Sequence, residues 1–147
     1  MATWQLALHL VPRAVSPSDR DPWRLRQPAG TWRRALGALL PRGTSWSPQL
    51  GVWGTEAGHR IEVWEHDGRV ESILVRIDAR EPIERLAPFC QELAAFAQAQ
   101  GDVVFISAPG AVLEPTATAL SEAIAASEAW RSVHHRDALI KARCSTT

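Results

Sequence analysis

The sequence predicts an α+β fold with a mainly antiparallel sheet, and three observations lead to that class. Short apolar runs alternate with polar residues, turn residues such as Asp67-Gly68 separate the runs, and no strand–helix–strand period recurs. The predicted order along the chain is β-α-β-β-β-α-β-β-α. We expect the three helices to pack largely on one face of the sheet, which leaves the opposite face partly open.

The first elements follow from alternation and from helix signals. Residues 3–11 alternate apolar and polar side chains and predict a half-buried strand that Pro12 ends. Residues 13–30 are rich in Pro and charge and predict an exposed loop. Thr31 is placed to cap a short helix, whose buried side is expected to hold Trp32, Leu36, Leu39 and Leu40.

Residues 49–79 predict an antiparallel meander of three strands. A three-residue loop, His66 to Gly68, would pair Ile61 with Ile73 and Trp64 with Val70. This register collects the β-branched residues on one buried face, which is the reason to prefer it over a two-residue Asp-Gly turn. The buried face would then hold Ile61, Val63, Ile73, Val75 and Ile77.

The strand before this hairpin extends both faces of the meander. A four-residue connection over 55–58 would place Leu50 and Val52 on the buried face and Trp53 beside Arg60 on the other. Trp and Arg are enriched at the centres of protein interfaces. The candidate partner-binding residues on this face are therefore Trp53, Arg60, Trp64, Leu74 and Arg76. The alternative is that the chain's own loop, 13–30, covers the face.

The second half of the chain predicts a helix, a hairpin and a last helix. Residues 82–100 carry an apolar stripe at helical spacing, although Pro88 should either delay the helix start or kink it. The stripe consists of Ile83, Leu86, Cys90, Leu93 and Ala97. A hairpin over 103–113 and a helix over about 116–129 follow. We expect a single domain over 1–130 and a basic tail, 131–147, that either frays or forms a short helix.

Composition limits the class of protein. The chain has 147 residues, of which 46% are hydrophobic and 22% charged, which is typical of a globular protein. Two cysteines and no long apolar run predict a reduced, cytoplasmic protein that does not enter a membrane. Fifteen Arg against one Lys, with no Asn or Tyr, indicate a bacterium with GC-rich codons, so part of the Arg preference has a mutational origin.

The charge is segregated along the chain. Residues 1–45 carry a net charge of +5, residues 46–130 carry −8 and residues 131–147 carry +3. Two interpretations stand. Either the segments lie together and screen one another, or a basic segment meets an acidic partner.

Motifs for catalysis and cofactors are missing from the sequence. There is no metal-binding His spacing, no nucleophile motif and no phosphate-binding glycine loop, so we expect no catalytic residue, metal or cofactor. Residues 23–26 and 31–34 alternate Trp and Arg, but the acidic middle of the chain disfavours nucleic acid. Arg76, Asp78 and Arg80 form an alternative ligand site at a strand end, or else a structural ion pair.

Residues 44–120 carry a pattern that resembles a family of small bacterial proteins without an assigned activity. The pattern consists of Trp46, Trp53, Gly54, Arg60, Asp67-Gly68, Arg76 and Asp78. The resemblance implies a compact α+β domain and brings no catalytic residues with it. The size and composition are also similar to those of toxin-immunity proteins.

Two hypotheses for function follow. The leading one is a non-catalytic binding module that recognises a protein partner, or a second copy of itself, through the open sheet face. An immunity or accessory role in bacteria is one version of it. The alternative is a small enzyme or ligand-binding protein that uses Arg76, Asp78 and nearby carboxylates.

Overall fold

Six strands form one antiparallel sheet in a computed structural model that describes residues 3–16, 18–107 and 110–134. Their order across the sheet is β2-β3-β4-β1-β5-β6, and all neighbours run antiparallel. The predicted fold class is confirmed. The strands are β1 (Gln5–Pro12), β2 (Leu50–Gly54), β3 (Arg60–His66), β4 (Arg69–Asp78), β5 (Val103–Ser107) and β6 (Val112–Leu113).

The helices are α1 (Trp32–Leu39), α2 (Ile83–Ala99), α3 (Ala117–Ala126) and a short α4 over 128–134. The predicted single helix over 116–129 is wrong in extent, because Ser127 adopts an extended conformation and separates α3 from α4. Thr116 caps α3 by accepting a hydrogen bond from the Ala119 N–H, whereas Thr31 makes no such bond at α1. Of the predicted tail, 131–134 are helical; residues 135–147, with Cys144, lie outside the described residues.

One core cluster joins the helices to a single face of the sheet, which we call the inner face. It includes Ile61, Ile73 and Ile77 from the sheet and most of the predicted stripe of α2. Cys90 is fully buried there, as predicted for a small apolar residue. Ile83 was expected in the stripe but is 53% exposed, because it lies in the first turn of the helix, beyond the edge of the core.

Within the predicted loop, residues 18–30 are anchored to the inner core and do not merely lie on the surface. Trp23 is fully buried, and its Nε1–H donates a hydrogen bond to the Leu10 carbonyl at 2.9 Å. The Gln27 side chain bonds both the N–H and the carbonyl of Val70, beyond the paired part of β1. Gln27 thus supplies the backbone partners that a neighbouring strand would otherwise provide.

The hairpin of β3 and β4 differs from the predicted register. The turn has two residues, Asp67 (φ 51°) and Gly68 (φ 75°), and both adopt the left-handed conformation that hairpin turns require. A bulge at Glu71 then shifts the pairing by one residue, so that Trp64 pairs with Ser72 and Ile61 with Val75. The predicted pairs Ile61–Ile73 and Trp64–Val70 are wrong, although the predicted buried face is confirmed because the bulge restores the alternation.

The pairing of β2 with β3 is also shifted by one residue from the prediction. Five residues, 55–59, connect the strands, so Trp53 pairs with Ile61 and not with Arg60. A shift of one residue exchanges the two faces of a strand. Trp53 therefore packs in the inner core, with its ring centroid 5.7 Å from that of Trp32 and the Arg42 guanidinium 4.4 Å above it.

The opposite side of the sheet, which we call the outer face, carries the alternate side chains of each strand, those that do not point to the inner face. Leu50 and Val52 lie on this face, contrary to the prediction, because they alternate with Trp53. One row of cross-strand neighbours crosses the whole outer face and consists of Val112, Ile106, His9, Leu74, Glu62 and Val52. Among the described residues, Val11, Val104 and Ile106 form a small apolar cluster there, separate from the main core.

Ion pairs connect the basic start of the chain to its acidic middle. Arg13 contacts Asp102 at 2.7 Å and Glu114 at 2.6 Å, and Arg33 contacts Glu65. These contacts support the interpretation that the charged segments lie together and screen one another. In the part of the chain that the structure describes, no helix is long and apolar enough to span a membrane.

The two tryptophans Trp53 and Trp46 test the register of β2. We expect Trp53→Ala to lower the free energy of unfolding by roughly 3–5 kcal/mol, because it empties a core position. Trp46 is 77% exposed, so Trp46→Ala should cost at most about 1 kcal/mol. Urea unfolding followed by circular dichroism measures both. Equal, small losses would contradict the inward position of Trp53.

Candidate functional site

Two arginines face each other directly on the outer face. The register of the hairpin pairs Arg60 of β3 with Arg76 of β4. Like charges opposite one another destabilise a sheet unless something neutralises them. The exposed fraction of the Arg60 side chain is only 10% and that of Arg76 is 25%, so water screens this pair less than it would at an open surface.

Glu62 supplies the compensating carboxylate. Its side chain is 11% exposed, its Oε1 lies 2.9 Å from Arg60 Nε, and its Oε2 accepts a long hydrogen bond from Arg76 Nη2 at 3.5 Å. The contact with Arg60 is an ion pair by distance, but the Nε–H is not aimed at the carboxylate oxygen and makes no hydrogen bond. Glu56 lies 3.4 Å from Arg60 Nη1 but is 91% exposed, so it neutralises Arg60 only weakly.

These side chains line a cavity of about 260 Å³ that opens on the outer face. We call it the arginine cavity, and its lining consists of Gln5, Glu56, Arg60, Glu62 and Arg76. The Nε atoms of both arginines are buried, and neither donates a hydrogen bond to any described residue. Buried donors without partners are rare in folded proteins, and each carries a free-energy cost.

An aromatic pair lies beside the arginine cavity. Trp64 occupies the outer face of β3, two residues from Glu62, and the ring of Trp46 packs against it edge-on with the centroids 5.5 Å apart. We call Trp46 and Trp64 the tryptophan pair. Trp46 is among the most exposed large apolar residues of the described chain. The outer face thus presents aromatic surface next to a cationic cavity.

The predicted partner-binding residues divide into two groups. Arg60, Trp64, Leu74 and Arg76 share the outer face, as expected. Trp53 does not, because the register of β2 turns it into the core, and its predicted contact with Arg60 is therefore wrong. Gln5, Glu62 and Trp46 lie on or beside this face but were not among the predicted binding residues. The alternation of β1 does indicate an outward Gln5, but only the pairing of β1 with β4 brings it to Arg76.

The alternative ligand site does not converge on one point. Asp78 is buried, and its carboxylate accepts hydrogen bonds from the backbone N–H and the guanidinium of Arg80. Arg80 also lies 3.6 Å over the ring of Trp4. Arg76 instead lines the arginine cavity. The geometry of Asp78 and Arg80 matches the structural ion pair that the sequence left open.

His59 belongs to this strand-end cluster. Its Nδ1 accepts a hydrogen bond from the Asp78 backbone N–H at 2.9 Å, and its ring stacks on Phe89 with the centroids 4.0 Å apart. Burial lowers the pKa of His59 below its ordinary value, against the opposing fields of Asp78 and Glu81. Since an accepting Nδ1 leaves the proton on Nε2, the neutral ring is the form that the fold selects.

Other reactive groups in the described residues are dispersed or buried. Burial raises the pKa of the Cys90 thiol, which disfavours the nucleophilic thiolate. Within 3–16, 18–107 and 110–134, no group of three His, Cys, Asp or Glu residues could hold a metal ion. Burial, followed by the field of Arg76, lowers the pKa of His9, which lies on the outer face opposite Leu74.

The Glu62 carboxylate should be important for stability. Glu62→Gln keeps the size of the side chain but leaves two guanidiniums opposed without a buried counter-charge. We expect a loss of roughly 3 kcal/mol in the free energy of unfolding, the lower end of the cost of breaking a buried ion pair, because Arg76 is partly solvated. Glu92→Gln on the exposed side of α2 is the control. Equal stabilities of the two variants would show that Glu62 does not neutralise the arginines.

The lowered pKa of His59 predicts a pH-dependent stability. The unfolded chain takes up a proton at His59 as pH falls through about 6.5, before the folded chain does. The free energy of unfolding should therefore hold above that pH and fall below it, until the pH passes the lower pKa of the folded state. His9 contributes with the same sign.

His59→Phe keeps the ring but removes both the titration and the Nδ1 acceptor. We expect it to cost roughly 1–3 kcal/mol at neutral pH, because the Asp78 N–H loses its partner. Its loss of stability between about pH 7 and pH 5 should be smaller than that of the parent chain. Urea unfolding at several pH values compares the two slopes, and parallel slopes would contradict the assignment.

Comparison with known proteins identifies no relative of this chain. No protein-family model, no curated protein and no solved structure matches the chain. The resemblance to a family of small bacterial proteins therefore stays a prediction.

Proposed function

We propose that the chain is a non-catalytic binding module that recognises a protein partner through the outer face of its sheet. The observation that carries the proposal is the tryptophan pair beside the arginine cavity. Aromatic residues and arginines dominate the energetics of protein interfaces, and contiguous exposed apolar surface is typical of interaction sites. A surface that offers both within a few residues is suited to a partner with an apolar and an acidic group.

The rigidity of the support favours binding over chemistry. Arg60, Trp64 and Arg76 project from the two strands of a hairpin, β3 and β4, whose other face is packed in the core. Such side chains lose little conformational freedom on binding, which improves affinity. The titratable groups that line the cavity are two arginines and two carboxylates paired with them, which do not form the acid and base pair that an enzyme of the alternative hypothesis would use.

Charge favours a different protein over a second copy of this chain. A twofold dimer brings the same surface patch of each copy together. Two arginine cavities would then approach each other, which like charges oppose. An acidic partner avoids this repulsion. A cytoplasmic immunity or accessory protein in a bacterium is the version of this function that size, composition and cysteine content favour.

Site-specific photo-crosslinking tests the proposal. A photoreactive residue replaces Trp46 in one variant and Glu92, on the exposed side of α2, in the control variant. In extract of the cells that make the protein, we expect a defined adduct from position 46 and none from position 92. Adding Trp64→Asp, with folding checked by circular dichroism, should abolish the adduct because it removes the apolar surface that the partner covers.

Three outcomes would contradict the proposal. One is the same adducts from both positions. Another is an adduct that survives Trp64→Asp in a folded chain. The third is an adduct of twice the chain mass, which would mean that the partner is a second copy of the chain. Sedimentation at increasing protein concentration would confirm that dimer.

A further inference from the structure

The arginine cavity holds guanidinium N–H donors that make no hydrogen bond to the carboxylates around them. Each guanidinium carries five N–H donors. Among the described residues, these two groups donate a single hydrogen bond, from Arg76 Nη2 to Glu62 at 3.5 Å. Arg60 is nine-tenths buried and donates none, and its Nε–H and that of Arg76 are enclosed without a partner. Most guanidinium donors of the cavity therefore have no protein acceptor in hydrogen-bonding geometry.

The buried charges of the cavity are also unbalanced. Two buried or half-buried cations share one buried anion, Glu62, while the Glu56 side chain is almost wholly in water. One positive charge is left without a buried counter-ion. The fold could have avoided this repulsion with any neutral residue at either position of the pair, since the position requires only an outward side chain on a strand. Local rules are broken in this way mainly at functional sites.

We infer that the arginine cavity is a binding site for one carboxylate group. A carboxylate carries the single negative charge that the cavity lacks and offers two oxygens, which suit the forked donors of a guanidinium. A phosphate dianion suits it less, because the second negative charge would meet the buried carboxylate of Glu62 at the wall of the cavity. Gln5, which also lines the cavity, offers an amide to the same ligand.

The source of the carboxylate follows from the proposed function, on which this part of the inference rests. Trp64 lies two residues from Glu62 on the same face of β3, so a ligand in the cavity would have apolar surface within one side-chain length. A peptide segment with an apolar residue next to an acidic one can contact both. A free carboxylic acid would fill the cavity but leave the tryptophan pair uncovered.

Titration of the intact protein with sodium acetate, at ionic strength held constant with sodium chloride, tests the site itself. The probe is the pair of arginine Nε–H signals in a ¹⁵N-resolved NMR spectrum. We expect the Arg60 and Arg76 signals to shift in a saturable way, with a Kd in the millimolar range, while the signal of exposed Arg34 does not move. Acetate should also raise the pKa of His9, because it cancels part of the field of Arg76.

Variants separate this site from general charge attraction. Arg60→Gln and Arg76→Gln should each weaken acetate binding at least about tenfold, whereas Arg34→Gln leaves it unchanged. Glu62→Gln removes the competing carboxylate and should strengthen binding severalfold. If one of the arginine variants fails to fold, the NMR titration of the parent chain still decides the question.

Three further probes identify the source of the carboxylate. The first is inorganic phosphate. The second is a peptide with blocked termini in which tryptophan is next to glutamate. The third is the same peptide with glutamine in place of glutamate and with a free C-terminal carboxylate. We expect both peptides to bind more tightly than acetate and phosphate more weakly. The Trp64→Asp variant should reduce the affinity for the peptides to that for acetate.

The inference is overturned if acetate produces no saturable shift, if Arg34 responds like Arg60, or if phosphate saturates the cavity at lower concentration than acetate. If the cavity binds acetate but position 46 gives no crosslink, the protein partner is rejected and the carboxylate site is retained. Crosslinking that depends on Trp64 with no acetate binding would do the reverse.

Discussion

A single extra residue in β4 determines what the outer face presents. The two-residue turn at Asp67-Gly68 alone would bring Ile61 opposite Leu74 and mix apolar with polar side chains on both faces. The bulge at Glu71 adds one residue to β4, so beyond it the β-branched residues return to one side and are buried together. The same shift brings Arg60 opposite Arg76. Burial of the core and formation of the arginine pair are thus consequences of one backbone irregularity.

The opposed arginines of the outer face lower the stability of the fold and also leave hydrogen-bond donors available to a ligand. Directly opposed guanidiniums repel, and the buried Glu62 relieves only part of that repulsion. The fold tolerates this loss of stability because its inner face is packed against three helices and against Trp23, which is fully buried. What remains is a small, donor-rich cavity on a rigid support, next to a pair of tryptophans that water solvates poorly. Binding an acidic group with an apolar residue next to it would relieve both features at once.

The strand-end cluster shows how similar residue types can serve structure alone. Asp78 and Arg80 also place a carboxylate beside a guanidinium, but there the acceptors and donors match, and His59 accepts the remaining backbone N–H. Arg80 is stacked on Trp4 and has no unmatched donor among its buried atoms. The distinction between the two clusters lies in the balance of donors and acceptors, which residue identity does not reveal.

The sequence by itself determined the class of fold, the order of the elements and the buried face of the hairpin, because alternation and helical spacing are local properties of the chain. It also identified Arg60, Trp64, Leu74 and Arg76 as residues of one surface. Only the tertiary structure decided the pairing of β2, and so the inward position of Trp53, because a connection of four or five residues is equally compatible with the local sequence while a shift of one residue exchanges the faces. The grouping of Gln5, Glu62 and the two arginines around one cavity depends on contacts between strands up to about 70 residues apart in the chain, which no local pattern encodes.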